Sequence, residues 1–255
     1  QNWEVAIHNF SQAINQNGPR YDYHFNRAIC YKHLGRSAEA ITDFIHANNI
    51  RPKDNCRSLL EVATLYLKGN DYGSAVDFSN KIIEIDKDNT KAQHIRKEAL
   101  LGRVEASIYS KQYAEALSDI DELIESDSED ITYKLIKAKC MFKYNTTPSK
   151  RLKTENYFVT VGKLLEKHTN DWNQIEKMRA INLFYIKTPK SAVQSQEVFE
   201  NYLAGIKGSA QTADDAFWAG LIAHVCQDNK KGSQYWSKLN KSYIEKRKNE
   251  LKEYK

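Results

Sequence analysis

The sequence predicts an all-α protein, a right-handed α-solenoid of antiparallel helix hairpins. The chain has only ten glycines and four prolines in 255 residues. A fold that turns often would need more of both residue types. Apolar residues make up 41% of the chain and charged residues 28%, which suits a continuous core beneath a polar surface. A third observation is a recurring pattern of small and aromatic residues, described next.

The pattern has a period of about 34 residues, which is typical of paired-helix repeats. Its first element is an aromatic or small residue followed three positions later by alanine. The alanines of the four copies are Ala6, Ala40, Ala75 and Ala116. Helices between the copies, 21–34 and 56–68, carry Ala28 and Ala63. Small residues spaced in this way predict the points where neighbouring helices approach closely.

These residues resemble the tetratricopeptide repeat family, together with the helix-ending Leu34-Gly35 and with Pro52 at the close of a repeat. The resemblance covers residues 1–144, and the chain begins inside a repeat. It implies a non-enzymatic scaffold for protein–protein interaction, adaptor or subunit of a larger complex. In this family the first helix of each hairpin lines a concave groove, so the resemblance also implies that other proteins or peptide segments bind there.

The later part of the chain departs from the pattern. One helix, about 91–110, is predicted to be some two turns longer than the others, and the polar run 145–153, with Pro148, is predicted to interrupt the repeats. Residues 154–255 are predicted to form divergent repeats and to end in a charged capping helix. Their helices are expected at 154–168, 171–187, 191–206, 212–227 and 229–253. Gly220, Gly232 and Trp236 repeat the spacing of Ala28, Ala40 and Phe44.

The candidate binding residues are those that helical spacing places on the groove face once Ala28 and Tyr31 turn into the hairpin. Apolar anchors and polar side chains alternate on this face, which suits an extended or helical peptide. On the helix 21–34 they are Asp22, Phe25, Asn26, Ile29 and His33. On the next helix they are Arg57, Leu60, Glu61, Thr64 and Lys68.

A chaperone adaptor is an alternative. The family's chaperone-binding members hold a C-terminal carboxylate between converging Lys, Asn and Arg side chains, because an anion needs paired donors. Here Asn26 resembles the middle Asn of that clamp, and Arg57 could replace a clamp Lys. Glu61 stands where the clamp Arg would be, and its charge would repel the anion. The clamp is therefore atypical.

The net charge of +5 does not predict a nucleic-acid-binding surface along the chain. Residues 238–255 hold seven Lys and Arg against three acids, so +4 of the charge is in the tail and nucleic acid is an unlikely partner for the rest. A second alternative is that the tail contacts nucleic acid or a filament surface through Lys246, Arg247 and Lys248. Mixed signs in the tail favour a solvated capping helix.

No phosphate-binding loop, nucleophile elbow or metalloprotease motif occurs, so the sequence predicts no enzyme, no cofactor and no metal. The four cysteines, Cys30, Cys56, Cys140 and Cys226, are widely separated and are predicted to be reduced core residues of an intracellular, cytoplasmic protein. No apolar stretch reaches the roughly 20 residues that span a bilayer.

Overall fold

The computed structural model describes residues 2–52, 56–206 and 211–252. These residues contain fourteen α-helices and no strand, so the predicted all-α fold is confirmed. The helices are α1 (Trp3–Asn17), α2 (Tyr21–His33), α3 (Ser37–Ile50), α4 (Arg57–Lys68), α5 (Tyr72–Ile85), α6 (Thr90–Tyr109), α7 (Tyr113–Ser126), α8 (Ile131–Tyr144), α9 (Pro148–Gly162), α10 (Asn170–Ile186), α11 (Pro189–Gly205), α12 (Ala213–Val225), α13 (Asn229–Trp236) and α14 (Lys241–Lys252).

The chain folds as two compact units, which we call unit 1 (Gln1–Leu123) and unit 2 (Ile124–Lys255). In unit 1, α1 to α6 pack as successive antiparallel neighbours, and α4 also touches α6. In unit 2, α8 to α13 pack in the same sequential way, and α8 also touches α10. Contacts between one helix and the next but one are what a repeat of helix pairs requires, since each pair stacks on its neighbour.

The small residues of the repeat are fully buried in unit 1. Ala28, Ala40, Ala63 and Ala75 each have 0% of their surface exposed. The Phe44 ring, also 0% exposed, packs against the Phe25 ring in a T-shaped arrangement with 5.3 Å between the ring centroids. Alanine lets the helices approach, and the aromatic side chains fill the space beside them, so the predicted packing is confirmed.

Ion pairs between a partly exposed arginine and a buried aspartate join the helices of a hairpin in unit 1. The Arg27 guanidinium donates to both carboxylate oxygens of Asp43, at 2.6 and 2.8 Å, and the His24 Nδ1 lies 2.9 Å from Asp43 Oδ1. Arg103 donates in the same way to Asp119, at 2.7 and 2.8 Å. Each arginine is 16 residues before its aspartate, so the repeat includes an interhelical Arg–Asp ion pair as well as an apolar core.

The divergent part also keeps the small-to-large packing. An added Cβ on Gly220 would lie 2.2 Å from the Trp236 Nε1, and one on Gly232 would lie 2.7 Å from the His224 ring. The Trp236 indole donates to the Phe217 carbonyl at 3.1 Å. The predicted equivalence of these residues to Ala28, Ala40 and Phe44 therefore has a direct packing basis, because the indole occupies the space that Gly220 leaves empty.

Several predicted boundaries were wrong, and the helix predicted over 154–168 is observed as α9 (Pro148–Gly162). The polar run 145–153 is an interruption of only three residues, because α9 begins at Pro148. Proline is well suited to the first helical position, where its missing N–H would have no partner in any case. The helix predicted over 229–253 is divided between α13 and α14. There the Asn240 side chain accepts from the Ser242 N–H at 2.8 Å and so caps a new helix. Residues 253–255 lie outside the described residues.

The long helix was correctly predicted. The α6 helix has 20 residues, whereas α2 to α5 have 12 to 14. Gly35 follows α2 with a φ of 73°, which confirms the predicted helix end because a residue with a side chain is strained in that conformation.

Two buried carboxylates in unit 2 share a single arginine. Arg179 donates to Glu155 at 2.6 Å and to Glu176 at 3.5 Å. Burial, the larger influence, raises the pKa of both carboxyl groups, and Arg179 opposes that rise. A raised folded-state pKa favours the protonated, folded form, so this part of the stability is present at acid pH and lost as the pH rises through the folded-state values.

We therefore expect the Glu176→Gln variant to lose less unit 2 stability than the unmodified chain as the pH rises from the ordinary glutamate pKa of about 4.5 to neutral pH. Urea unfolding at several pH values, followed by circular dichroism, measures this slope. Glu197→Gln is the matched control, because Glu197 is exposed. Equal slopes for Glu176→Gln and the unmodified chain would contradict the assignment.

Candidate functional site

The predicted groove residues of α2 divide into exposed and buried side chains. Asp22, Asn26 and His33 are exposed, and Ile29 is half-buried. Phe25 was predicted as an open anchor for a peptide, and this was wrong. It is only 4% exposed because it packs into the core between Tyr21 and Phe44. Very little of the Phe25 side chain is therefore available to contact a peptide.

The predicted residues of α4 lie beside those of α2. The Arg57 guanidinium stands over the Phe25 ring, 4.5 Å from its centroid, a distance typical of a cation–π contact. Leu60, Glu61 and Thr64 are half-buried, and the Thr64 hydroxyl donates to the Leu60 carbonyl at 2.7 Å. Lys68, at the end of the helix, is exposed. The structure thus brings the two predicted sets together on adjacent helices of unit 1.

An ion pair crosses between the two helices. The Lys32 ammonium donates to the Glu61 carboxylate at 2.6 Å, and both side chains are partly open to solvent. Helical spacing did not point to Lys32, although Lys32 lies next to His33 and one turn from Ile29. The charge of Glu61 is therefore already compensated, and an incoming carboxylate would have to displace Glu61 before Lys32 could donate to it.

Two further contacts extend this surface to the first helix and to the end of the hairpin. The Trp3 and His33 rings stack at 4.2 Å with 6° between their planes. Arg51 approaches the Asp22 carboxylate at 3.7 Å. Trp3 is the aromatic residue three positions before Ala6 in the first copy of the repeat, and its ring adds an aromatic surface that helical spacing on α2 alone could not indicate. We call the described set Trp3, Asp22, Asn26, Ile29, Lys32, His33, Arg57, Leu60, Glu61, Thr64 and Lys68 the α2–α4 face.

The α2–α4 face has the composition of a surface that recognises other proteins. It combines hydrogen-bonding groups such as Asn26, charges of both signs and half-buried aliphatic side chains such as Ile29 and Leu60. Interfaces between proteins use this mixture, with apolar contacts for affinity and polar contacts to set the register. Arg57 is anchored by its ring contact while its polar edge stays exposed.

The basic residues of the C-terminal helix are largely engaged within unit 2, which favours the predicted capping helix over the alternative of free basic contacts. The Arg247 guanidinium donates to Asp214 at 2.5 Å and to Glu250 at 2.6 Å. The Lys248 ammonium lies 3.4 Å from Glu245 and 4.7 Å from the Trp236 ring centroid. Lys246 is exposed. The first two residues hold α14 against α12 and α13, so they act as a cap.

The four cysteines are free thiols, and three of them are buried. Burial raises the pKa of Cys140 to about 11 and also raises the pKa of Cys30, Cys56 and Cys226. A thiol with a raised pKa is a poor nucleophile at neutral pH, so these are packing residues. Over the described ranges, no three His, Cys, Asp or Glu side chains come together as metal ligands.

Among the described helices, none combines the length and apolar character needed to cross a membrane.

Comparison with known proteins agrees with the repeat. A family model described as tetratricopeptide repeat matches residues 21–54, the hairpin of α2 and α3. No curated protein matches the chain. The resemblance from sequence had already placed Leu34-Gly35 and Pro52 within this hairpin.

Three solved structures have a similar fold. The C-terminal part of a TPR repeat-containing protein from Cytophaga hutchinsonii is 16% identical, with a TM-score of 0.52, over 96% of this chain and 94% of that one. BtubC from P. vanneervenii is 11% identical, with a TM-score of 0.50, over 98% and 93%. A chain in the structure of Naa15/Naa10 bound to HypK-THB is 12% identical, with a TM-score of 0.57, over 93% of this chain.

The chain spans 34% of the length of that last protein. At these identities the likeness concerns the fold alone. It agrees with the buried alanines and the Arg–Asp ion pairs of the helix hairpins. Together with the family match at 21–54, it agrees with the resemblance found in the sequence: residues 21–54 match a tetratricopeptide repeat, and the described residues have an all-α repeat fold.

Proposed function

We propose that the protein is a non-enzymatic scaffold that binds a segment of another protein on the α2–α4 face, as an adaptor or structural subunit of a larger intracellular complex. The observation that carries the proposal is that side-chain contacts join three helices at one surface. The Trp3 ring stacks on the His33 ring, and Lys32 pairs with Glu61. These contacts fix the positions of recognition groups before a partner arrives, which lowers the entropy cost of binding.

Two further points support the scaffold role. Tetratricopeptide repeat proteins are generally interaction modules, and a chain of similar fold occurs in the structure of Naa15/Naa10 bound to HypK-THB. The four free thiols suit a reducing compartment, and we place the protein in the cytoplasm.

A pair of exposed substitutions tests this function. Asn26→Arg with Lys68→Glu changes the α2–α4 face without touching the core, since both residues are exposed. The matched control is Thr42→Arg with Lys81→Glu, on exposed positions of α3 and α5. After gentle affinity purification, mass spectrometry should find protein partners that the first variant loses and the control keeps. Loss from both variants, or from neither, would refute the proposed surface.

The chaperone-adaptor alternative makes a different prediction. Because Lys32 is already paired with Glu61, we expect a peptide ending in Glu-Glu-Val-Asp to bind no more tightly than its C-terminal amide. Glu61→Arg removes the competing carboxylate and should create a preference for the free carboxylate of about tenfold, the gain of one charge-assisted hydrogen bond. Isothermal titration with both peptides measures the preference. A marked preference in the unmodified protein would support the adaptor alternative instead.

A further inference from the structure

One end of unit 2 is rich in lysine in a way that the repeat does not explain. Residues 131–154 contain seven Lys or Arg residues and residues 177–196 contain four, and neither stretch contains an Asp or Glu. The first stretch covers α8, the turn after it and the start of α9. The second covers the end of α10, the next turn and the start of α11.

Side-chain contacts bring these two turns to the same end of unit 2. The Arg151 guanidinium near the start of α9 lies 4.5 Å from the Tyr185 ring centroid near the end of α10, and 6.0 Å from that of Phe142 near the end of α8. Arg151 also donates to the Asn182 side chain at 3.2 Å, and Asn182 donates back to the Arg151 carbonyl at 2.9 Å. The turns 145–147 and 187–188 are therefore neighbours.

Five lysines around these turns have exposed side chains, and within the described part of the chain none of them forms an ion pair. Three other cations of the two stretches are engaged within the fold: Arg151 is buried, Lys177 pairs with Asp215 at 2.6 Å, and Arg179 pairs with Glu155. We call the five exposed residues the lysine end: Lys143, Lys150, Lys153, Lys187 and Lys190.

Helix stability does not account for this arrangement. Lys150 and Lys190 lie in the first turns of α9 and α11, and neither of these turns contains an acid. The first turn carries the positive end of the helix dipole, so a cation there is unfavourable by roughly 0.3 to 1 kcal/mol. Like charges gathered at one end add repulsion. Lys143 lies 5.8 Å from the Phe142 ring centroid and Lys150 lies 5.0 Å from that of Tyr144, but a ring contact does not neutralise the charge. Residues that break a local stability rule without a neutralising partner indicate use in binding.

We propose that the lysine end binds an acidic segment of a partner protein, rich in Asp and Glu with interspersed apolar side chains. Charge complementarity provides the steering. Apolar contacts are available next to the charges, because Leu152 is 55% exposed between Lys150 and Lys153, and Val193 is 65% exposed one turn after Lys190. This surface lies in unit 2 and is separate from the α2–α4 face of unit 1.

A protein segment fits these observations better than a nucleic acid or a membrane. Sequence-neutral nucleic-acid binding relies on a charged groove along the backbone, whereas this cluster surrounds two turns. The turns 145–147 and 187–188 carry no large apolar side chain that could enter a bilayer, and Leu152 and Val193 lie on the helix flanks.

The full chain can be tested with a fluorescein-labelled peptide of repeated Glu-Asp-Leu units. The variant changes Lys143, Lys150, Lys187 and Lys190 to Glu. The matched control changes four exposed lysines elsewhere in unit 2, Lys163, Lys167, Lys238 and Lys241, to Glu, so net charge is equal. Fluorescence anisotropy should show salt-sensitive binding that the first variant weakens at least about tenfold and the control much less. Replacing the same four lysines of the lysine end by Gln should weaken binding in the same direction.

Circular dichroism establishes that each variant is folded. Binding that is absent, or that both sets of substitutions weaken equally, overturns the proposal. Single-stranded DNA and phosphatidylserine vesicles are the competing probes. If either binds more tightly than the peptide and depends on the lysine end, the partner class is wrong. The variant of the α2–α4 face, Asn26→Arg with Lys68→Glu, should bind the peptide normally, so failure of the scaffold proposal can be distinguished from failure of this one.

Discussion

Asp43→Ala is expected to destabilise unit 1 by about 3 to 5 kcal/mol, the usual cost of removing one partner from a buried charge pair. Asp43 is 3% exposed and accepts two hydrogen bonds from Arg27. The His24 ring nitrogen lies 2.9 Å from the same carboxylate. Without the carboxylate, the Arg27 guanidinium and His24 would remain between α2 and α3 with no acidic partner.

Urea unfolding measures the loss of stability, and hydrogen exchange followed by mass spectrometry locates it in α2 and α3. Asp77→Ala is the control, because Asp77 is exposed on α5 and exposed substitutions usually change stability by less than about 0.5 kcal/mol. If the two variants were equally stable, the Arg27–Asp43 ion pair would not contribute to the stability of unit 1.

Gly220→Ala is expected to destabilise unit 2 by about 2 to 4 kcal/mol, from overpacking together with the loss of a buried hydrogen bond. The added methyl group would lie 2.2 Å from the Trp236 Nε1, which donates to the Phe217 carbonyl. The indole would have to leave its position between α12 and α13. Thermal and urea unfolding measure the effect.

Gly73→Ala is the matched control, and it should act in the opposite direction. An added Cβ on Gly73 in α5 meets nothing closer than 3.9 Å, so alanine should stabilise that helix by about 0.5 to 1 kcal/mol. Trp236→Phe should relieve part of the Gly220→Ala cost in the double variant. A cost that is unchanged in the double variant would show that the destabilisation does not come from the indole.

The apolar repeat was readable from sequence because it is periodic. Ala28, Ala40 and Phe44 recur in phase with their counterparts, and close helix packing leaves few alternatives to a small residue at those positions. The spacing also identified Gly220, Gly232 and Trp236 in the divergent part. The Arg27–Asp43 and Arg103–Asp119 ion pairs have the same separation of 16 residues, so this part of the repeat is periodic in the sequence as well.

The errors have physical causes of two kinds. Pro148 and Asn240 act as helix starts, and a sequence window cannot distinguish a residue that begins a helix from one that interrupts it unless the cap is recognised. Phe25 was assigned to the groove by helical spacing, but a large ring between two helices can turn into the core while its Cα faces outward. The contacts of Trp3 with His33 and of Lys32 with Glu61 join separate helices, so they depend on packing that the sequence does not state.

The measurement that tests the central claim most directly is site-specific photo-crosslinking in cells, with benzoylphenylalanine placed at Asn26 or Lys68 and, as a control, at Thr42. All three positions are exposed. If the α2–α4 face holds a partner, the two positions on that face should cross-link to the same protein, identified by mass spectrometry, and Thr42 should not. The account would be contradicted if the three positions gave the same products, or if only Thr42 captured a specific protein.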